Sequence, residues 1–228
     1  MFTINGESVE KFGVQMGDYT VVPHEIQTEV LRGQDGVWSR IGSTRYGGKT
    51  LTVTARVEAA DLHDAIKQVS SLTAALTGEN ELLLPDGFYY RSILLSVDGT
   101  ERITEDIFEV VYTFDSIQHD EMAEIILDGA GEHIIQAGGN LPAGCSYTFT
   151  PQQDMESVTV GGRTVLKLTA GEEVVIDGIQ KMVTAAGNNK FADVGEDFTS
   201  FPVLTPGENK IAVSADIPVT VRYYPTYL

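Results

Sequence analysis

Apolar and polar residues alternate along most of this chain, and a convincing helical period appears in one stretch, Ala59 to Gly78. In AADLHDAIKQVSSLTAALTG, Leu62, Ile66, Val69, Leu72 and Leu76 recur at three- and four-residue steps, which places them on one face of about four turns. Asp61 is positioned to cap the first turn, and Gly78 can take the left-handed geometry that stops the last. One amphipathic helix needs a sheet to lie on, so the chain on either side is expected to supply it.

The first half reads as strands and turns. Phe2 to Ile4 and the tight turn Asn5-Gly6 open it, followed by short extended pieces at Val9 to Val14 and Tyr19 to Val22. Pro23 follows a β-branched pair, which favours extended backbone over helix. His24 to Leu31 alternates as a strand, with Ile26, Thr28 and Val30 on one side. Residues 32–50, RGQDGVWSRIGSTRYGGKT, are glycine-rich, too polar for core and too long for a hairpin turn, so they read as a long loop. This loop carries Arg32, Arg40, Arg45 and Lys49 beside Trp38 and Tyr46, a combination suited to a contact surface; a lone Trp also serves as a core anchor under a loop, and the pattern leaves both roles open. Leu51 to Val57 then alternates as a half-buried strand.

Beyond the helix, Glu81 to Leu84 is a short strand, Pro85-Asp86-Gly87 a turn, and Phe88 to Val97 and Ile103 to Phe114 long strands around Asp98-Gly99. The apolar positions of IFEVVYTF interleave tightly enough to predict burial on both faces. Residues 115–124 turn polar and acidic, and the domain boundary is placed there, giving units 1–118 and 119–228. From Ile125 the pattern is all β. Strands are predicted at Glu132–Ala137, Ser146–Pro151, Ser157–Val160, Thr164–Thr169, Glu173–Ile176, Lys181–Thr184, Lys210–Ser214 and Pro218–Tyr224. Short strands separated by Gly-rich turns are the pattern of a sandwich or barrel. The predicted class is mainly β: an N-terminal β domain with one helix, then an all-β domain.

Charge sharpens this picture. Against 15 basic side chains stand 33 acidic ones, a net of −18 over 228 residues. Residues 1–120 hold 9 basic and 19 acidic groups (−10), and residues 121–228 hold 6 and 14 (−8). Phosphate-backbone binding needs clustered Lys and Arg, so affinity for nucleic acid is not expected. The acidity fits a well-solvated surface, or one that must not hold DNA passing nearby. No run of about 18 apolar residues exists to cross a membrane as a helix. The start, MFTINGESVEKF, lacks a basic segment followed by an apolar one, so no secretory signal is expected. The single cysteine, Cys145, has no partner for an internal disulfide.

Candidate chemistry is sparse. His24, His63, His119 and His133 are widely spaced, with no metal-binding pair among them. Gly129-Ala130-Gly131 is followed by a strand where a nucleotide fold needs a helix. Glu105-Asp106 and Glu172-Glu173 are adjacent carboxylates that strands would send to opposite faces. No catalytic, cofactor or metal site is expected.

Two blocks are more specific than β-pattern. The opening block runs FTINGES, FGV, then Tyr-x-Val-x-Pro-His-Glu-Ile, the Gly-rich loop and the strand leading into the helix. The closing block runs VVIDGIQKMV, Gly-Asn-Asn, DFTSFPVLTPGENKIAV and a final strand ending in YYPTYL. In this order they resemble the distal tail proteins of long-tailed, siphovirus-type phages. The resemblance implies an N-terminal β domain with one helix and a hairpin, assembling as a hexameric ring at the end of the tail tube. It implies a C-terminal galectin-like β-sandwich pointing outward, and a virion protein assembled in the bacterial cytoplasm, with no enzymatic activity, no cofactor and no membrane insertion. Implied partners are further copies of the chain, the tail tube protein, the tail-tip hub protein and, often, receptor-binding proteins, with DNA passing through the centre. Arg32, Trp38, Arg40, Arg45, Tyr46 and Lys49 are then candidate inter-subunit or tube contacts. In the closing block, Pro202, Pro206 and Gly207 fix a turn at which Asn209 can bond its own backbone. The alternative is a carbohydrate-binding sandwich used in adhesion; against it, the second half has no Trp, and most of its aromatics (Tyr147, Phe149, Phe191, Phe198, Phe201, Tyr223, Tyr224, Tyr227) read as core or as the last strand.

Overall fold

The computed structural model describes residues 2–23, 26–32 and 39–228 and divides the chain into two units, Met1–His119 with Leu228 and Asp120–Tyr227. The first unit comprises β1 (Thr3–Ile4), β2 (Glu7–Ser8), β3 (Val14–Val22), β4 (Ile26–Arg32), β5 (Ser39–Tyr46), β6 (Lys49–Glu58), α1 (Leu62–Ala75), β7 (Glu79–Leu83), β8 (Tyr89–Val97), β9 (Glu101–Arg102) and β10 (Ile107–His119). An antiparallel sheet runs in the order β2-β1-β7-β8-β10-β6-β3, with β9 beside β10, while β4 and β5 form a ribbon of their own.

α1 starts where predicted: the Asp61 side chain accepts the Asp64 backbone N–H at 2.9 Å, and Gly78, at φ +98°, turns the chain toward β7. Its buried stripe differs from the predicted one. Ala65, Leu72 and Leu76 are buried with Val69 packed beside them, whereas Leu62 and Ile66 stay 51% and 52% exposed. At about 100° per residue the two sets lie on adjoining sectors of the helix. The sheet reaches one sector, through core residues such as Val53, Tyr112 and Phe114, and Thr73 Oγ1 meets Tyr112 Oη at 3.1 Å.

Three further readings are corrected. Val9–Phe12 is a 3-10 turn, not extended, because Ser8 Oγ accepts the Glu10 N–H at its start and Gly13, at φ +70°, ends it. In β10, Phe108, Val110, Tyr112 and Phe114 are buried but Ile107, Glu109, Val111 and Thr113 are only half-buried, so one face is core, not both. The strand also continues through DSIQH, which reads as polar linker. Ser116 is buried because it shares a hydrogen bond with Ser92 at 2.8 Å, and Gln118 because it accepts one from Lys49.

The second unit comprises β11 (Ala123–Leu127), β12 (Gly131–Ala137), β13 (Ala143–Phe149), β14 (Met155–Val160), β15 (Arg163–Leu168), β16 (Val174–Asp177), β17 (Met182–Ala185), β18 (Asn188–Asn189), β19 (Val203–Leu204), β20 (Gly207–Val213), β21 (Val219–Tyr223) and β22 (Thr226–Tyr227). One sheet runs β11-β21-β13-β16-β17-β18, with β19 beside β13, and the other β12-β20-β14-β15. Residues from both sheets, among them Tyr147, Phe149 and Ile176 from one and Val158, Val165 and Ile211 from the other, share one buried cluster, which makes this unit a sandwich. The turn before β20 forms as expected: Gly207 sits at φ +88°, and the Asn209 side chain accepts the Thr205 N–H at 2.9 Å and donates to the Thr205 carbonyl at 2.7 Å.

The shifted helix stripe gives a direct test. Leu72→Ala is expected to cost about 2–5 kcal/mol, and Leu62→Ala less than about 0.5 kcal/mol, in denaturant unfolding of the whole chain. Equal losses would mean that the helix packs on the stripe read from sequence.

Candidate functional site

The segment predicted as a glycine-rich loop is mostly strand. Ser39–Tyr46 forms β5 and pairs antiparallel with β4 from Ile26↔Tyr46 to Arg32↔Ser39, and Lys49 already belongs to β6. The alternation escaped the sequence reading because Gly42 is an extra residue on β5: the register shifts between Glu29 and Val30, which oppose Ser43 and Ile41. A Cβ at Gly42 would lie 3.1 Å from Leu31 Cγ, so the bulge is tight. In sequence the ribbon lies between β3 and β6, with Gly47-Gly48 separating β5 from β6. A Cβ at Gly48 would fall 1.6 Å from Asp115 Oδ1, so the Asp115 carboxylate would have to swing away to admit one.

Register sorts the ribbon into two faces. Ile26, Thr28, Val30 and Arg32 on β4 share a face with Tyr46, Thr44, Ile41 and Ser39 on β5; the other face carries Gln27, Glu29 and Leu31 with Arg45, Ser43 and Arg40. The hairpin is therefore amphipathic. Every described residue of both strands is nonetheless exposed, and on the apolar face Ile41 reaches 66%, Ile26 54%, Tyr46 50% and Val30 48%. Among the described residues the two strands pair with each other and with no further strand. The Ser43 hydroxyl donates to Glu29 Oε2 at 3.1 Å across the polar face.

The expected contact residues thus separate. Arg32, Arg40, Arg45 and Tyr46 are exposed on the hairpin, with Arg32 and Tyr46 on the apolar face and Arg40 and Arg45 on the other. Trp38 and His24 lie outside the described residues. Lys49 does not share this surface: it is 6% exposed, faces the core side of β6 and donates to Gln118 Oε1. Burial lowers its pKa, against a smaller opposing pull from the Asp86 carboxylate.

Elsewhere the chemistry is structural. His133 Nε2 lies 3.0 Å from the Gly129 carbonyl, and buried His119 lies 3.7 Å from Glu81. Cys145 is fully buried and its thiol is pushed up to about 11, by burial first, so it is protonated at neutral pH and shielded. Tyr90 is raised well above the ordinary phenol value by burial and by its 2.8 Å bond to Asp86. No group of His, Cys, Asp and Glu among the described residues is arranged to hold a metal ion. A groove of about 840 Å³ in the first unit is lined by Glu10, Arg56, Glu58, Asp106 and mostly apolar or glycine neighbours; it has carboxylates but no nucleophile, and Arg56 is committed to Glu109 at 2.7 Å.

One cluster was missed from sequence. Phe191 stacks on Phe201 at 6.0 Å, Phe198 meets both edge-on, and Lys181 Nζ sits 5.6 Å from the Phe201 ring centre. Phe191 lies in a short 3-10 turn, Phe191–Asp193, where no periodicity could reveal it.

Comparison with known proteins places this geometry. Residues 138–227 match the family model described as siphovirus-type tail component, C-terminal domain. Among solved structures, the Dit protein of phage SPP1, described as a paradigm of the hub adsorption apparatus in phages infecting Gram-positive bacteria, covers 100% of both chains at TM-score 0.76 and 10% identity. A chain of the phage P2 baseplate in its activated conformation with Ca covers 92% of this chain and 90% of that one at TM-score 0.58 and 9% identity, and the form with Sr gives the same values. No curated protein sequence matches. At 9–10% identity the structural likenesses carry the fold, while the family match is one of sequence over the second unit.

The buried Lys49–Gln118 pair predicts a thermodynamic cycle. Gln118→Leu strands a buried ammonium and is expected to cost about 2–3 kcal/mol; Lys49→Met leaves a buried carbonyl oxygen unpaired for about 1–2 kcal/mol; the double variant returns to within about 1 kcal/mol of the parent. Because the folded pKa of Lys49 lies below its ordinary 10.5, the unfolded chain holds more protons between the two values, and this group's contribution to stability rises with pH across that window. Unfolding measured as the pH is raised toward 10.5 should show that rise in the parent and not in Lys49→Met. An identical slope in both would remove Lys49 as its source.

Proposed function

We propose, on the premise that this chain is a phage tail component of the distal-tail family, that it is a structural subunit of the tail-tip hub. Residues 1–118 build a hexameric ring that caps the tail tube, and residues 119–228 supply a galectin-like sandwich for outer partners such as the hub protein or a receptor-binding protein. The observation that carries this reading is the family match over residues 138–227 on a chain whose whole course follows the fold of SPP1 Dit. The function is assembly, not catalysis.

The surfaces agree with a conduit for DNA. On the first sheet, Thr20, Thr52, Thr113 and Ser96 form one cross-strand row on the face opposite the core. Hydroxyls and a net −18 offer a polyanion no clustered cation to hold it. The exposed arginines of the hairpin stand apart from this row and are the proposed contacts to an acidic surface on the next subunit or the tube.

Two measurements test the proposal. Light scattering of the purified protein, followed by negative-stain imaging, is expected to give a closed hexamer with a central hole; a monomer at every concentration would favour an adaptor or sugar-binding role. Charge reversal at Arg40 and Arg45 is expected to weaken ring or tube-cap assembly at low salt, with the difference from the parent shrinking as screening rises. Unchanged assembly of both kinds would take these residues out of the contact. Sugar binding by residues 119–228 is the second reading, supported by half-exposed Phe191 stacked on Phe201 beside Lys181, and a glycan array tests it.

A further inference from the structure

One polar cluster inside the first unit serves neither the apolar core nor the proposed assembly. Lys49 opens β6, Gln118 lies near the end of β10 and Tyr90 lies on β8; these strands are neighbours, and all three residues are buried. Register brings them together. Lys49 pairs with Ser116, two residues before Gln118, and Gln118 pairs with Tyr90. Although 69 residues separate them in sequence, Lys49 Nζ and Gln118 Oε1 are in contact. The Tyr90 hydroxyl donates to Asp86 Oδ2 at 2.8 Å, and Asp86 Oδ1 accepts the Phe88 N–H at 3.0 Å, so this carboxylate is held in place. Asp86 itself is exposed, at the solvent edge of the cluster. Burial favours the uncharged form of the Lys49 amine, against a smaller pull from Asp86. An amine, an acyl carbon and a fixed carboxylate thus share one shielded corner.

We propose that Lys49 and Gln118 join covalently, the amine displacing ammonia from the carboxamide to leave an isopeptide bond between β6 and β10. The bond does not depend on the ring assembly proposed above. Contact between Nζ and Oε1 leaves Gln118 Cδ one bond away, and rotation about the broad terminal torsion of Gln brings that carbon under the nitrogen lone pair. Fixing both groups on paired strands replaces a bimolecular encounter with an intramolecular one. Burial keeps out the water that would compete for the acyl carbon. The neutral amine adds to Cδ, and its surplus proton passes to Asp86, with the Tyr90 hydroxyl as the link. The Cδ–Nε2 bond then breaks as Nε2 takes a proton back from the same carboxyl group. Amine plus primary amide gives secondary amide plus ammonia, with no oxidant or co-reactant. The bond closes residues 49–118 into a loop that contains α1, β7, β8 and β9. Linked Lys49 carries no charge, so the rise of stability with pH expected of the open pair belongs to chains that have not yet reacted.

Intact mass spectrometry of the full chain, incubated folded and then denatured, is the test. The mass is expected to fall below the sequence mass by one ammonia, at a rate that rises with pH as Lys49 loses its proton. Trypsin should then release residues 46–56 joined to residues 103–163, since an acylated Lys49 is no longer cleaved. Lys49→Arg keeps the cation but removes the amine, and is expected to hold the full mass. Asp86→Asn alters an exposed side chain, so its circular dichroism should match the parent's, while ammonia loss should slow by about 10²-fold or more. A folded parent that keeps its full sequence mass at every pH overturns the proposal, with no variant needed. So does an ammonia deficit that persists in Lys49→Arg, which would place the loss elsewhere, as in imide formation at Asn5-Gly6. An unchanged rate in Asp86→Asn would overturn the proton route through that carboxylate.

Discussion

An antiparallel sheet has two faces, and the described residues of the first unit supply one α-helix with which to cover them. That constraint governs the rest of the molecule. α1 buries Ala65, Leu72 and Leu76 against Val53, Tyr112 and Phe114, and this contact fixes which face of β6 and β10 becomes core. The opposite face is left to solvent, and it mixes Thr20, Thr52, Thr54 and Thr113 with the exposed Ile93 and Ile117. The same economy explains Lys49 and Gln118. They fall on the inward side of their strands, beyond the reach of the helix, where polar groups survive only as a bonded pair.

How much of this was legible in the sequence follows from where the physics is local. The helix, its Asp61 cap and its Gly78 stop were readable because caps and periods act within a few residues. The eight predicted strands of the second unit all appear, with shifts at their ends, because alternation between Gly-rich turns is also local. Failures came where a distant partner decides. Nothing in DSIQH shows that Ser116 will meet Ser92 or that Gln118 will meet Lys49, so strand looked like linker. The Gly42 bulge broke the alternation of SRIGSTRY and made a strand look like loop. Leu62 and Ile66 matched the helical period, yet only the position of the sheet decides which sector of that stripe is buried.

The candidate contact surface shows the same division. Its cations were visible as composition, and their distribution between faces was not. Pairing with the shifted register places Arg32 with Val30 and Ile41, and Arg40 and Arg45 with Glu29 on the reverse. Composition had grouped Lys49 with them, but one strand boundary separates an exposed arm from a core lysine. The Phe191, Phe198 and Phe201 cluster is a third instance, assembled from a 3-10 turn and irregular chain that no periodicity marks.

Charge then sets what kind of contact can hold the proposed ring. Each copy brings a net of −18, and like-charged subunits repel over about 10 Å at 0.1 M salt. Ion pairs at exposed arginines contribute little each, with a median near 0–1 kcal/mol, so they orient the arm more than they hold it. Apolar burial must supply the rest, at roughly 25 cal/mol for each Å² removed from water. A hairpin that carried only arginines would steer neighbouring copies together and then let them go. In the ring proposed above, the alternation of Ile26, Val30 and Ile41 with polar positions would let one short ribbon offer exposed apolar side chains on one face and Arg40 and Arg45 on the other.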